Sequence, residues 1–260
     1  MKHSEALHDP TRPPSTSPVS AGTLYGIGTG PGDPELLTLK AVRLLQQCPV
    51  VAYFCKRGGA GRARTICAAH LTPAHRELPL VYPVTTELPV SSPAYRERIE
   101  TFFDESAEQL AQLLAAGESV AVLNEGDPFF YGSFMHLHLR LQARFPATVI
   151  PGVGSIMSCG ALLPRPLTMR DDVLTVIPGT MTDDALIEHL DPARATVIMK
   201  VGSNLPRIRR AVAARGLTER AWYVERADMP GQRVLPLAEL GDDTAPYFSM
   251  VLIPGPGLRQ

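Results

Sequence analysis

Short apolar segments alternate with amphipathic segments along most of the chain from residue 23 onward. Segments such as 23–28 (TLYGIG) and 119–124 (SVAVLN) are about the length of a buried strand. Residues 95–116 instead space apolar side chains at helical intervals with charged residues between them, and the helix is expected to end at Gly117. This alternation predicts an α/β protein whose first sheet is mostly parallel.

The predicted strands lie closer together in the second half of the chain, with fewer long helices between them. This predicts a mixed second sheet, and we expect the boundary near residues 122–127. The chain is therefore divided into an N-terminal α/β domain at 23–124 and a C-terminal α/β domain at 125–260. Residues 1–22 are rich in Pro, Ser and Thr, which predicts a disordered tail.

Composition narrows the classes of function. Lys and Arg number 25 against 26 Asp and Glu, so the formal net charge is −1 and there is no basic field for general nucleic-acid binding. No apolar run approaches the roughly 18 residues of a membrane span. The N-terminal segment has no apolar signal region, and the four cysteines have no CxxC spacing, so buried thiols in a reducing cytoplasm are expected.

The histidines do not predict a metal site. His136 and His138 are two residues apart, which places them on different faces of a helix. His70 and His75 are similarly mismatched in spacing, and His3 and His8 lie in the predicted tail. We therefore expect no bound metal ion.

The loop GIGTGPGDPE, at residues 26–35, lies between a predicted strand and a predicted helix. A dinucleotide fingerprint that starts at Gly26 needs glycine where Pro31 stands, and one that starts at Gly28 needs glycine where Asp33 stands. No Gly-Lys-Ser/Thr follows, which excludes a P-loop. Phosphate binding is therefore disfavoured, and the loop is interpreted as a tight turn whose glycines allow close approach by another group, in our interpretation a ligand.

Three separated segments resemble the tetrapyrrole (corrin/porphyrin) methyltransferase family. They are YGIGTGPGDPELLTLKAVRLL (25–45), LNEGDPFFYGSFMHLHLRL (123–141) and VIPGVGSIMSCGALL (149–163), and the resemblance extends over about 23–255. It implies two α/β domains with S-adenosylmethionine bound in the cleft between them, and a homodimer. The segments EGDPFFYGSF, MKVGSNL and YVERADMPGQRV are more similar to the precorrin-2 C20-methyltransferase branch than to the uroporphyrinogen-III methyltransferase branch.

The resemblance also implies which residues contact the cofactor. These are Pro31, Glu125, Gly126, Asp127, Phe130, Gly154, Ser155, Val201 and Ala227. S-adenosylmethionine has no phosphate, so its site needs main-chain groups, an apolar wall for adenine and polar side chains; Val201 and Phe130 are the wall candidates. Relatives commonly have Thr or Ser in place of Gly154, so Ser155 or the main chain must provide the polar contact there.

The acceptor implied by the resemblance is precorrin-2, methylated at C20 to give precorrin-3A in cobalamin synthesis. Cobalt-factor II is the nearest alternative acceptor, and uroporphyrinogen-III methylation and diphthine synthesis are other branches of the fold. A non-enzymatic nucleotide- or RNA-binding module is a different class, which the balanced charge disfavours.

An acceptor with many carboxylates calls for arginines, because guanidinium groups bind carboxylates through two hydrogen bonds. Arg57, Arg62 and Arg64 in KRGGAGRAR are the densest basic cluster, although a solvated loop is the alternative interpretation. Asp33 and Tyr131 are the candidates for a base that removes the C20 proton. A helix cap and a packed aromatic ring are the respective structural alternatives.

Overall fold

The computed structural model describes residues 21–84, 92–241 and 243–257. Its first sheet has five strands in the order β3-β2-β4-β1-β5, and every strand pair in it is parallel. The strands are β1 (Leu24–Gly28), β2 (Val50–Cys55), β3 (Arg76–Val81), β4 (Val120–Asn124) and β5 (Ala147–Ile150). The prediction of a mostly parallel first sheet is therefore confirmed.

Helices cover both faces of this sheet. They are α1 (Leu39–Gln47), α2 (Arg62–Ile66), α3 (Pro93–Ala115) and α4 (Phe134–Leu141). Successive strand residues point to opposite faces, so Val50 packs in the cluster beneath α3 and α4, while Val51 packs with α1 and α2. Strands buried on both faces explain the nearly continuous apolar runs in the sequence.

The second sheet also has five strands, in the order β6-β7-β10-β8-β9, and only the β6–β7 pair is parallel. This confirms the predicted mixed sheet. Its elements are α5 (Ser155–Ala161), β6 (Leu174–Pro178), α6 (Asp183–His189), β7 (Ala195–Met199), α7 (Leu205–Ala214), β8 (Trp222–Glu225), β9 (Arg233–Pro236) and β10 (Ser249–Ile253).

Strand β5 lies in the first sheet, where it pairs with β1. The chain therefore changes sheet between Ile150 and Leu174, later than the expected boundary near 122–127. The physical reason is that α4 is a crossover that returns the chain to the sheet it left, and the pattern of a strand does not identify its partner. The division into 23–124 and 125–260 stays a prediction, and the predicted tail lies outside the described residues except for Ala21 and Gly22.

The four cysteines are buried and free, as predicted. Burial raises the pKa of the Cys48 thiol to about 11 and that of Cys67 to about 12. Thiols with such high pKa values stay protonated at neutral pH and are poor nucleophiles. They contribute to packing rather than to chemistry.

Candidate functional site

Three loops meet main chain to main chain at the carboxyl edge of the first sheet. The N–H of Gly126, after β4, donates to the carbonyl of Gly30, after β1, at 2.8 Å. A Cβ atom on Gly152, after β5, would lie 2.1 Å from the carbonyl oxygen of Gly126, and one on Gly28 would lie 2.4 Å from the nitrogen of Gly152. Only glycine fits at these two positions, so the loops form one continuous wall of backbone.

The glycine-rich loop is packed tightly by the protein itself. A Cβ on Gly32 would lie 2.5 Å from the Met229 side chain and 2.9 Å from the carbonyl oxygen of Asp228, in the loop after β8. Gly30 has a φ of +75°, a region that glycine adopts without strain. The groups that approach Gly28 and Gly32 are other loops of this chain, not the ligand that the glycine pattern predicted.

Asp33, one of the two candidate bases, forms a helix cap. Its Oδ1 accepts a hydrogen bond from the N–H of Glu35 at 2.8 Å, at the start of the short 3-10 turn Pro34–Leu36. Pro34 occupies the first position of that turn, where a missing N–H costs nothing. Pro31, one of the expected cofactor contacts, is buried beside them.

The loop after β4 is shaped by two polar side chains. Asp127 accepts from the N–H of Phe129 at 2.9 Å through Oδ1 and from the N–H of Gly152 at 3.2 Å through Oδ2. Asn124 accepts from the N–H of Phe134 at 3.2 Å and donates to the carbonyl of Glu125 at 2.7 Å. Sequence reasoning missed Asn124, whose only signal is a polar residue that ends a buried strand.

Glu125 lies close to the positive charge of Arg62, the first residue of α2. Burial raises the pKa of the Glu125 carboxyl, and the Arg62 charge and the N–H of Ala63 partly offset that effect. The Arg62 guanidinium also lies over the Phe248 ring, 4.4 Å from its centroid, just before β10. Arg62 therefore interacts both with Glu125, an expected cofactor contact, and with Phe248, which adjoins the second sheet.

The three candidate arginines occupy different environments. Arg64 forms two hydrogen bonds of 2.8 Å with the carboxylate of Glu77 on β3, and this contact lowers the pKa of Glu77. Arg57 is exposed in the loop after β2. Because the guanidinium of Arg64 is paired with Glu77, Arg57 and Arg62 are the two of these three arginines that stay candidates for binding a substrate carboxylate.

Phe130 and Tyr131 expose their rings beside the second half of the chain. The exposed fractions are 41% and 47%, and the two rings are perpendicular with centroids 5.0 Å apart. Tyr131 has a φ of +55°, which an α-helix does not contain, and α4 begins after it, at Phe134. The Lys200 ammonium, at the end of β7, lies 5.2 Å from the centroid of the Tyr131 ring.

Open space lies where two of the expected cofactor contacts meet. A Cβ on Gly154 would have no atom within 4 Å, and one on Gly126 would have only the nitrogen of Ser155, at 3.9 Å. Ser155 is the first residue of α5. A Cβ atom at position 154 would therefore meet no neighbour.

Val201 and Ala227 lie inside the second half of the structure. Val201 is completely buried in the core beneath α7, and Ala227 is 6% exposed in the cluster beside α5. The side chain of Val201 therefore packs in the protein core. Of the two apolar wall candidates, only Phe130 presents its surface to solvent.

Ser158 and Asp228 form a hydrogen-bonded pair that sequence reasoning missed. The buried Ser158 hydroxyl, on α5, donates to the Asp228 carboxylate. Asp228 has a φ of +56° and its N–H donates to Oε1 of Gln232 at 2.9 Å. The one sequence signal for a role of Asp228 was its position directly after Ala227. The Asp228 carbonyl faces Gly32.

Comparison with known proteins identifies the family. The profile of the tetrapyrrole (corrin/porphyrin) methylases matches residues 23–241. The chain belongs to this family.

Two curated methylases match nearly the full chain. A precorrin-2 C(20)-methyltransferase from Sinorhizobium sp is 54% identical over 92% of this chain and 98% of that protein. A cobalt-precorrin-2 C(20)-methyltransferase from Salmonella typhimurium is 28% identical over 89% of this chain and 96% of that protein.

A solved structure of a family member has the same fold. It is the uroporphyrin-III C-methyltransferase from Thermus thermophilus complexed with S-adenyl homocysteine, at a TM-score of 0.61. The identity is 25%, and the match covers 90% of this chain and 92% of that chain. The two-sheet architecture is therefore that of a tetrapyrrole methylase.

Neither a metal-binding cluster nor a membrane-spanning helix is found among the described residues of this methylase. No group of three or more His, Cys, Asp or Glu side chains there has the arrangement of a metal site. Among the described helices, none combines the length and the apolar character that crossing a membrane requires.

Proposed function

We propose that the protein transfers a methyl group from S-adenosylmethionine to C20 of precorrin-2, giving precorrin-3A in cobalamin synthesis. The observation that carries this proposal is the 54% identity with the Sinorhizobium enzyme, which spans almost the full length of both chains.

The residues present fit S-adenosylmethionine. Open space at Gly126 and Gly154, the exposed ring of Phe130 and the hydroxyl of Ser155 would hold a ligand that has an apolar base and polar edges. Pro31, Glu125 and Asp127 border the same loops. Val201 follows β7 and Ala227 follows β8, the two strands that flank β10 in the second sheet. The cofactor supplies an electrophilic methyl group, and the complex of the Thermus relative with S-adenyl homocysteine supports its assignment.

The task of this chain is to position the acceptor carbon against the methyl group. Such positioning contributes several kcal/mol, about 7–11 in well-oriented systems, without a nucleophile from the protein. Of the two candidate bases, Tyr131 exposes its side chain beside Lys200, whereas Asp33 holds the N–H of Glu35. Tyr131 is therefore the better placed of the two for removal of the C20 proton.

Cobalt-factor II is a second candidate acceptor. A cobalt-containing acceptor is favoured by the nearly full-length match to the Salmonella enzyme, whose name specifies cobalt-precorrin-2. The identity to that enzyme is 28%, against 54% to the enzyme that acts on metal-free precorrin-2. The metal-free substrate is therefore the primary proposal.

The test supplies ¹³C-methyl S-adenosylmethionine with precorrin-2 and, separately, with cobalt-factor II, and locates the new methyl carbon by NMR. We expect a labelled methyl group on C20 of precorrin-2. Transfer to another carbon, preference for cobalt-factor II, or no transfer to either substrate would contradict the proposal.

We further propose that the enzyme acts as a homodimer in the cytoplasm. The four buried free thiols support a reducing compartment. Sedimentation equilibrium should give about twice the 28.1 kDa chain mass, and cell fractionation should recover the protein in the cytoplasmic fraction.

A further inference from the structure

Lys200 and Tyr131 are strained residues that contact each other across the two halves of the chain. Lys200 has a φ of +56° and Tyr131 a φ of +55°, and neither is a glycine. A left-handed conformation costs such residues on the order of 1–3 kcal/mol, and it persists where the surrounding structure enforces it. On this backbone the Lys200 Nζ lies 5.2 Å from the centroid of the Tyr131 ring.

The pair borders a small pocket of about 170 Å³. Its lining is Tyr131, Gly132, Ser133, Met135, His136 and Lys200. A hydrogen bond of 2.5 Å between the hydroxyls of Ser133 and Tyr82 ties one wall to the segment after β3. The pocket is thus built on a fixed frame and has room for a small polar group.

Of the two basic side chains that line this pocket, His136 and Lys200, it is Lys200 that brings the positive charge. Burial lowers the pKa of His136, so that this imidazole is neutral at neutral pH. The nearby Arg140 is engaged by Glu100 and Asp104 on α3. Among the described residues no carboxylate forms a salt bridge with Lys200, and its ammonium rests on the face of an aromatic ring instead.

We propose that Lys200 binds a carboxylate of the tetrapyrrole substrate, with the ring of Tyr131 as the platform that holds its ammonium. This inference rests on the proposed function and names a substrate contact for it. A cation held on an aromatic face loses less side-chain freedom when an anion binds. A compact ammonium with three donors also suits a single carboxylate arm.

With Lys200 as a substrate contact, the second sheet also takes part in substrate binding. Arg57 and Arg62 follow β2 of the first sheet, whereas Lys200 follows β7 of the second. Carboxylates arranged around a macrocycle would then be held from both halves of the chain. The position of the acceptor carbon would depend on both halves together.

The experiment compares K200Q, K200R and the matched control K40Q, which removes an exposed lysine from α1. The measurements are KM for precorrin-2, kcat, and the Kd of S-adenosylmethionine by calorimetry. K200Q should raise KM about tenfold or more, since a hydrogen bond to a charged group is lost. K200R should recover most of that loss, while K40Q and the cofactor Kd should stay at wild-type values.

Two variants of the ring separate its role as a platform from a role as a base. Y131F keeps the ring and should keep KM, while Y131L should raise it; a fall in kcat alone in Y131F reports loss of the hydroxyl. Increasing salt should raise the wild-type KM more than that of K200Q, because exposed charge pairs are screened.

The outcomes separate this inference from the proposed function. An active wild type with an unchanged KM in a folded K200Q protein overturns the role of Lys200 and leaves the methyltransferase proposal standing. No transfer by the wild type to either tetrapyrrole overturns both. Circular dichroism and thermal unfolding of K200Q establish that the variant is folded.

Discussion

The Ser158 hydroxyl donates a hydrogen bond to the carboxylate of Asp228, 70 residues further along the chain. Ser158 is buried on α5, and the Asp228 carbonyl faces Gly32 in the loop after β1. One aspartate therefore links α5, the loop after β8 and the glycine-rich loop. Each of these segments provides or adjoins an expected cofactor contact.

Replacing Asp228 with alanine should destabilise the protein. The buried Ser158 hydroxyl would lose its acceptor, which costs about 1–3 kcal/mol of unfolding free energy, and the affinity for S-adenosylmethionine should fall as the loops separate. D228N is the matched control, because its amide oxygen still accepts and Asn tolerates a positive φ. Urea denaturation and calorimetry measure both quantities, and equal losses in D228A and D228N would refute the role of this hydrogen bond.

Alanine at Gly152 or Gly28 should destabilise the protein by at least about 1–3 kcal/mol, because the new methyl group would overlap backbone atoms that have little room to move. Gly154 is the internal control, since a Cβ there meets nothing within 4 Å. G154A should change the unfolding free energy by less than about 1 kcal/mol, because its φ of −71° is also open to alanine. Similar unfolding curves for G152A and G154A would show that the three loops are not packed as described.

Arg57 and Arg64 should respond differently to alanine substitution. R57A should raise the KM for precorrin-2 with little change in cofactor affinity, because an exposed arginine is free to meet a substrate carboxylate. R64A should leave KM near the wild-type value and cost at most about 1 kcal/mol of stability, the range of exposed ion pairs. Unchanged kinetics in R57A, or the same KM increase in R64A, would contradict the assignment.

The carboxyl of Glu125 should make stability depend on pH. Its pKa is raised in the folded state, so the folded protein holds this proton to higher pH than the unfolded chain does. The unfolding free energy of the wild type, relative to E125Q, should therefore fall as pH rises from the unfolded value of 4.5 through the raised pKa, and then level off. Denaturant titrations of both proteins between pH 4 and 8 measure this difference.

Glu77 provides a control of opposite sign. Arg64 lowers its pKa, so its contribution to stability is present above the unfolded pKa and is lost as pH falls through the folded value. The difference between wild type and E77Q should therefore shrink towards low pH. The same pH trend in E125Q and E77Q would contradict the assigned environments.

Strong local patterns made most elements predictable. The strand ending at Asn124 and the helix Pro93–Ala115 appear where the apolar spacing placed them, because burial on defined faces dictates that spacing. Strand β9 was not predicted, since Arg233–Pro236 is a short edge strand with little burial. The partner of β5 was also missed, because pairing is decided by tertiary packing.

The candidate site was only partly predictable. Family motifs pointed to the loops around Glu125 and Gly154. The contact of Lys200 with Tyr131, however, joins positions 69 residues apart in loops that have no regular pattern. The buried state of Val201 follows from the packing of α7 and not from its place in a motif. Contacts of this kind depend on how the two sheets approach each other, which local spacing does not encode.

The glycine contacts at the carboxyl edge of the first sheet have an evolutionary consequence. Where Gly28 touches Gly152, the surface is main chain, and a substitution there cannot reshape it gradually because any larger residue breaks the contact. Selection for a new acceptor would therefore act on side chains that project from the rim, such as Lys200 and Arg57. The donor side of the enzyme is thus expected to evolve slowly while the acceptor side diversifies.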